Sequence, residues 1–402
     1  MFCTKSFLPV AAALNVLLLT SVFGQDWVQS SAPKLYWQGV ASSGDGVGLI
    51  AAAYSDSGYR PAGLYSSTNS GSSWNPTSAP LQFWERVASS DDGISLVAAA
   101  YADADWNPGG IYISTDAGST WHLSSAPRQN WIGLSSSADG TKLVAIGWGG
   151  LIYFSTNSGN SWDAADAPQA YWRSLAASSN GAKLIAAGLD ASDLHRGHLY
   201  TSIDYGQHWV ATSAPDTNWF CVASSADGTR LIAAASSGGV YTSTDSGLNW
   251  VSNDLPSQAW FAVASSADGK RLAALPGGEL PGVVYCSNDG GVTWQPSGTI
   301  EGHWTGAAFS NDGAKLTAVQ GGYEPGLIYN CRNQEPVPVL RIRCSGGDIV
   351  VSWPVTTTAY LLEQYSNQQW VTVTKPVIIE GSRNQVLFSK ATGNGLFRLR
   401  SN

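Results

Sequence analysis

Six copies of one octapeptide, set 41 to 47 residues apart, constrain this 402-residue chain more than any other feature. They read STNSGSSW (67–74), STDAGSTW (114–121), STNSGNSW (155–162), SIDYGQHW (202–209), STDSGLNW (243–250) and SNDGGVTW (287–294). Ten residues after each closing Trp stands another: Trp84, Trp131, Trp172, Trp219, Trp260 and Trp304. The segment between them usually carries Ser-Ala-Pro, with the Pro at the sixth place. Nine residues further comes a Gly, generally closing a Ser-Ser-Ala-Asp-Gly turn, and then a run such as Lys-Leu-Val-Ala-Ile. Each unit therefore holds four short strands joined by tight turns, the content of one propeller blade. A blade cannot bury both faces alone and must pack on copies of itself.

Counting the units predicts how the array ends. Trp27 is followed by Ala32-Pro33, Trp37 and Gly46 in the common register, but no octapeptide precedes it. At the far end, 326-GLIYNCRN-333 has the third-strand signature without a closing Gly and Trp. The shortfall at one end matches the surplus at the other. Residues 26–31 are thus expected to form the outermost strand of the blade built from 304–330, closing an all-β ring of seven and abolishing the open sheet edge. The pattern assigns structural places to fourteen of the 18 tryptophans: seven of octapeptide type, counting Trp27, and seven at strand starts.

Outside the repeat, residues 1–24 read as a secretory signal. Lys5 precedes an apolar stretch over 7–19, interrupted by Pro9 and Asn15, and Val22 and Gly24 suit cleavage before Gln25. The apolar run is too short and broken to span a bilayer comfortably. The mature protein is expected to be secreted, periplasmic or on the cell surface, without a membrane span. After the propeller (25–333), residues 334–337 read as a linker. Residues 338–402 read as five or six short strands of a small β-sandwich similar to immunoglobulin or fibronectin-III domains. A formal charge of −8 removes the basic footprint that nucleic acid or an anionic membrane would require. Of the cysteines, Cys221 lies in an apolar strand, and Cys331 and Cys344 flank the linker as the first candidates for a disulfide.

The Ser-x-Asp-x-Gly-x-x-Trp octapeptide is similar to the Asp-box, or BNR repeat, of the sialidase superfamily and its relatives. Those relatives include xyloglucan-cleaving hydrolases, sortilin-type receptor propellers and a photosystem assembly factor. The resemblance covers residues 27–331. It implies a seven-bladed β-propeller in which each octapeptide joins a third strand to a fourth, on the face away from the active site. It also implies structural roles for Asn69, Asp116, Asn157, Asp204, Asp245 and Asp289. Sialidases carry a Phe-Arg-Ile-Pro motif near the start and three arginines that clamp a carboxylate. The nearest counterpart here, Tyr59-Arg60-Pro61, lacks the Ile and lies in a variable loop, so sialidase activity is not expected.

The six octapeptides can be compared with one another. Four carry Asp at the third place, and two carry Asn69 and Asn157. Asn keeps the acceptor that a turn needs but lacks the charge that acid–base chemistry needs. The octapeptide Asp therefore reads as a hairpin fastener, and the active surface is expected on the opposite face. Fourth-to-first and second-to-third connections share that face, and the second-to-third loops differ in every blade, where function concentrates. They bring carboxylates, Asp56, Asp103, Asp105, Asp190, Asp193, Glu279 and Glu324, as catalytic candidates should two face each other at glycosidase spacing. They also bring aromatics, Tyr54, Tyr59, Tyr101, Trp106, Trp148 and Tyr323, as ligand-binding candidates. The strand-start tryptophans are expected at the same end, around the channel mouth.

His195 and His198 share a loop with Asp190 and Asp193, but loop spacing defines no ligand set and no metal is expected. Neither a Gly-x-Ser-x-Gly elbow nor a phosphate-cradling Gly loop before a helix is present, so no nucleotide or other cofactor is expected. The reading is an exported monomeric binding or adhesion module for a glycan, a polysaccharide or an envelope protein. A glycoside hydrolase or lyase using paired loop carboxylates is the alternative, and an envelope assembly factor the second.

Overall fold

The structure, a computed structural model, describes residues 27–193, 195–236, 238–332, 341–345, 348–354, 360–366, 369–380, 383–389 and 397–401. Two compact units divide the chain near residue 335, the first running from Gln25 to Glu335. This unit is a seven-bladed β-propeller. Its first blade has strands Tyr36–Ser42, Leu49–Ser55, Leu64–Ser67 and Asn75–Pro76, ordered from inside to outside. The innermost strands of the next six are Phe83–Ser89, Trp131–Ser136, Tyr171–Ala177, Trp219–Ser224, Trp260–Ser265 and Trp304–Phe309. Every pairing within a blade is antiparallel.

Blade 7 closes as the count of units predicts. Trp27–Gln29 adds to its third strand in the register Trp27↔Cys331, Val28↔Asn330, Gln29↔Tyr329. Trp27 takes an octapeptide Trp's place, its ring 5.6 Å from that of Trp304, much as Trp209 lies 6.0 Å from Trp172. Its indole N–H donates to the backbone and hydroxyl oxygens of Ser297 in blade 6. Asn330 Nδ2 reaches across the other seam to the carbonyl of Gly71 in blade 1.

Seven separate apolar clusters hold the ring together, one at each seam between blades. Small residues on the second strands, such as Ala51, Ala98 and Ala233, let neighbouring blades approach closely. The strand-start tryptophans Trp37, Trp84, Trp131, Trp172, Trp219, Trp260 and Trp304 are at most 1% exposed. Each meets the third-strand Tyr of its own blade edge-on, as Trp219 meets Tyr241 with centroids 5.2 Å apart and planes at 76°. These rings are core, in the structural places the repeat assigns them, and they are buried at the seams rather than open at the channel mouth. Their uniformity reflects packing between blades, a demand that every seam repeats.

The octapeptides are hairpin fasteners whose hydrogen bonds repeat from blade to blade. In blade 5, Ser243 Oγ donates to Asp245 Oδ1 and accepts from the Gly247 N–H, while Asp245 Oδ1 also accepts from the Asn249 N–H. The residue after the Asp or Asn sits at positive φ in five boxes although it is not Gly, as at Ser246 (φ 60°). That left-handed turn aims its N–H at the Ser-x-Asp-Gly turn of the same blade: Ser246 donates to Thr229 O, and Ala117 to Ile94 O. Both turn types therefore share one face. Asn is accommodated by reversing one bond. Thr120 Oγ1 donates to Asp116 Oδ2, whereas Asn69 Nδ2 donates to Ser73 Oγ.

The Ser-x-Asp-Gly turns also join one another around the axis. Gly44 N–H donates to Asp91 O, Asp91 to Ala138, Ala138 to Ser179, Ser179 to Ala226, Ala226 to Ala267, Ala267 to Asn311, and Asn311 back to Gly44, all at 2.7–2.9 Å. This closed ring of seven backbone bonds bounds a cavity of about 150 Å³ lined mainly by serine hydroxyls and alanine methyls.

In the second unit, one four-stranded sheet is ordered Arg341–Ser345, Asp348–Pro354, Arg383–Ser389, Ile378–Glu380. A three-stranded sheet is ordered Gln369–Thr372, Tyr360–Ser366, Phe397–Ser401. Val351, Val386 and Phe388 of the first pack with Leu362 of the second in a single buried cluster. The signal segment, the linker and the Cys344 side chain lie outside the described residues. No helix among the described residues is long and apolar enough to cross a membrane.

Two outcomes test this account. Trp219→Ala empties a fully buried indole site and should cost about 3–5 kcal/mol in denaturant unfolding. Thr120 holds the Asp116 carboxyl down at about 2, against an ordinary value of 3.8. Stability from a depressed carboxyl is fully present above its unfolded value and lost as pH falls through the folded one. Asp116→Asn should therefore fold normally at neutral pH, as Asn69 and Asn157 allow, yet show a shallower fall in melting temperature between pH 4 and 2.

Candidate functional site

The second-to-third loops and the connections entering each first strand meet on the face opposite the octapeptides, tied by backbone bonds. Ala62 bridges Gln82, Gly109 bridges Gln129, and the Trp148 N–H donates to Asn130 O. Just inside, every blade carries a β-bulge after its strand-start Trp. The extra residue varies, with six residue types over the seven blades: Gln38, Glu85, Ile132, Arg173, Phe220, Phe261 and Thr305. These seven were not anticipated from the sequence, although variability directly after an otherwise constant Trp was a readable signal. Bulges re-aim side chains at sites where a regular ladder would not.

Neighbouring bulges touch across the seams. The Phe220 and Phe261 rings lie 4.3 Å apart, and Thr305 Oγ1 donates to Trp37 O. Arg86, the residue after one bulge, donates to the carbonyls of Gln38 and Glu85. Burial raises the Cys221 thiol of blade 5, with the Arg86 charge opposing. Burial raises the Glu85 carboxyl, with Arg86 opposing. Arg173 stacks over Trp148 at 5.3 Å, its Nε buried without a hydrogen-bond partner.

The loops of blades 1 and 2 are built alike. Asp56 Oδ1 accepts the N–H groups of Gly58 and Arg60, and its other oxygen takes Arg60 Nε. Asp103 does the same with the N–H groups of Asp105 and Asn107 and the Asn107 amide. Hydrogen bonding holds both carboxyls below their usual value, through the Arg60 backbone first for Asp56 and the Asn107 side chain first for Asp103. The fastened turn drives the aromatic three places on into the left-handed region, Tyr59 at φ 57° and Trp106 at φ 63°. Each aromatic then stacks on the residue preceding the strand-start Trp: Tyr59 on Tyr36 at 5.2 Å, and Trp106 on Phe83 at 4.2 Å. Both remain mostly exposed, at 68% and 60%. Tyr54 lies between Phe83 and Tyr101, and burial followed by the Glu85 charge raises its hydroxyl to about 12.

The remaining candidates are scattered over the other loops. Asp190 caps Ser192, and Asp193 accepts the His195 N–H. His198 and Arg196 both bind Asp216, at 2.9 and 2.6 Å. No three potential ligand side chains gather into a metal-binding group among the described residues. Tyr323 lies 5.4 Å from the His303 ring. Asp105, Glu279 and Glu324 have no side-chain hydrogen bond within the described residues. Four of the seven candidate carboxylates are thus committed to their own turns, and the exposed aromatics are what the face presents.

The fold defines a seven-bladed β-propeller. Among solved structures the chain is similar to YCF48 from Cyanidioschyzon merolae, with TM-score 0.58 and 16% identity over 77% of this chain and 99% of that one. It is also similar to YCF48 bound to D1 peptide (0.56, 16%, 77% and 96%) and to U3-55K (0.58, 14%, 76% and 98%). At such identities the likeness is one of fold. No family model and no curated protein matches the sequence.

Asp103→Ala should release the loop over 103–107 without unfolding the blade. Amide exchange at Asp105 and Asn107 should accelerate while the melting temperature shifts little, and unchanged exchange would show that Asp103 does not hold the turn.

Proposed function

We propose that the chain is an exported binding module of the Asp-box type that holds an extended glycan across its second-to-third loop face. One observation carries this reading: Tyr59 and Trp106 each rest one ring face on a partner aromatic and leave the other bare. Trp148, 48% exposed beneath Arg173, continues the row onto blade 3. Rigid aromatic planes supply contact area at little cost in side-chain entropy and suit the apolar faces of sugar rings. The left-handed turns set by Asp56 and Asp103 hold these planes in place before any ligand arrives. Engagement of those carboxylates by backbone N–H groups argues for binding and against hydrolysis.

A polypeptide partner is the second reading. It is favoured by the neighbour solved with a bound peptide and by the enrichment of exposed Tyr, Trp and Arg at protein-binding hot spots. The C-terminal unit, in this proposal, is an immunoglobulin-like spacer.

Binding of the whole chain to immobilised plant, algal and bacterial polysaccharides and to envelope extracts tests the choice. Trp106→Ala and Tyr59→Ala should each weaken polysaccharide binding about tenfold or more, as for aromatic hot spots. Loss of extract binding alone would favour the polypeptide partner. Product release from any polysaccharide, abolished by one loop-carboxylate change, would overturn the binding-only reading.

A further inference from the structure

The connection from blade 6 into blade 7 breaks the repeat. Six of the seven units place a Pro six residues after the outer-strand Trp: Pro33, Pro80, Pro127, Pro168, Pro215 and Pro256. The seventh has Ile300 there. In blade 6 the outermost strand spans Gln295–Gly302, eight residues where the other blades have two or three, pairing at Gln295 and Pro296 and, past a register shift, again at Glu301 and Gly302. Its end carries Glu301 to the loop face, where it lines a cavity of about 260 Å³ with Lys34, His303, Glu324, Pro325 and Leu327.

Backbone forms the cavity's fixed walls. Gly326 bridges Leu35, and the Gly321 N–H donates to His303 O. A Cβ on Gly302 would strike the Gln320 side chain, and one on Gly321 the Trp37 carbonyl, so both positions admit only glycine without rearrangement. Of the polar side chains inside, Gln320 donates its amide to the Glu301 carbonyl, while the charged ones are uncommitted, in contrast to the carboxylates of blades 1 and 2. Among the described residues, the side chains of Lys34, Glu301 and Glu324 make no hydrogen bond or ion pair. His303 Nδ1 lies 2.8 Å from the Gly278 carbonyl, which can only accept. That nitrogen therefore carries a proton, and Nε2 is the ring atom left for a ligand, an acceptor in the Nδ1–H tautomer. The cavity thus offers two carboxylates and an imidazole nitrogen, one ammonium donor, and an apolar wall of prolines and Leu327.

We propose that this seam cavity binds a single neutral or amino-bearing sugar ring, a binding site distinct from the aromatic row of blades 1 to 3. Ring hydroxyls both donate and accept, which suits a mixed lining, and the C–H face suits the proline wall. A volume just under the roughly 300–1,000 Å³ of ordinary ligand pockets fits one ring and not a chain. The excess of carboxylate over ammonium disfavours a uronic acid. The inference rests on the glycan reading of this face, and it assigns the seam cavity as the place where one residue of the chain is specified.

Saturation-transfer NMR on the whole chain tests the site with free glucose, galactose, glucosamine, N-acetylglucosamine and glucuronate. At least one hexose or hexosamine should receive saturation, and glucuronate should not. In the double variant Glu301→Gln, Glu324→Gln, affinity for that sugar should fall about tenfold or more, since hydrogen bonds to charged groups are lost. Trp106→Ala should leave it unchanged, and matched melting temperatures confirm the fold. Saturation of no sugar, or equal affinity in the double variant, would overturn the cavity site. Sugar binding at the cavity without any polysaccharide binding would retain it and overturn the extended-glycan reading.

Discussion

The ring of seven backbone hydrogen bonds around the axis fixes the blade number and, through it, everything else. Each turn donates one N–H to the next blade and accepts one from the last, in a single direction, with Asn311 returning to Gly44. A ring with one blade more or fewer would have to reset every distance in the cycle, and an open one would orphan a buried donor and acceptor. The turns must also be small at this point. A Cβ on Gly44 would press against Asn311, and the equivalent places elsewhere hold Asp, Ala, Ser or Asn. Closure by Trp27–Gln29 then satisfies the same demand at the outer rim, where blade 7 lacks its own fourth strand.

From that constraint follows the division of labour between the two faces. On the turn face, polar side chains are spread evenly and tied to backbone. Serine hydroxyls accept from glycine N–H groups, carboxylates collect two or three donors, and the left-handed residue of each octapeptide links the two hairpins of its blade. Such groups have little capacity left for a ligand. On the opposite face the loops are tied by backbone bonds as well, but the side chains differ from blade to blade. Seven-fold repetition builds the scaffold, and departures from it supply the chemistry.

The scaffold was legible in the sequence because its demands recur seven times. Trp27 could be assigned to blade 7 from register alone, since an indole there meets the same buried partner as in the other blades. Asn69 and Asn157 disclosed the fastener role of Asp116 and Asp245, a comparison that only internal copies permit. The loop face was less legible, for a physical reason. Whether a carboxylate caps its own turn or stands free depends on backbone geometry that composition does not report. Asp56 and Asp103 therefore read as ligand groups but hold loops, while Glu301, within a supposedly uniform connection, went unread. The strand-start tryptophans were legible as structure because they recur in every unit, whereas Tyr59 and Trp106, outside the repeat pattern, were not placed by it.

Ile300 shows how much one such departure can do. In the other blades this place holds a proline, which cannot donate to a ladder, and the outer strand ends four residues before it. In blade 6 the strand continues past Ser297, whose oxygens receive the Trp27 indole at the closing seam. Four residues on, Glu301 lines the cavity on the loop face. In blade 5 the same place holds Pro256, and Asn253, the counterpart of Ser297, still accepts the indole N–H of Trp294, so the seam bond does not depend on the missing proline. A single broken repeat position thus leaves the last joint of the ring as the other seams have it and alters only what the variable face presents.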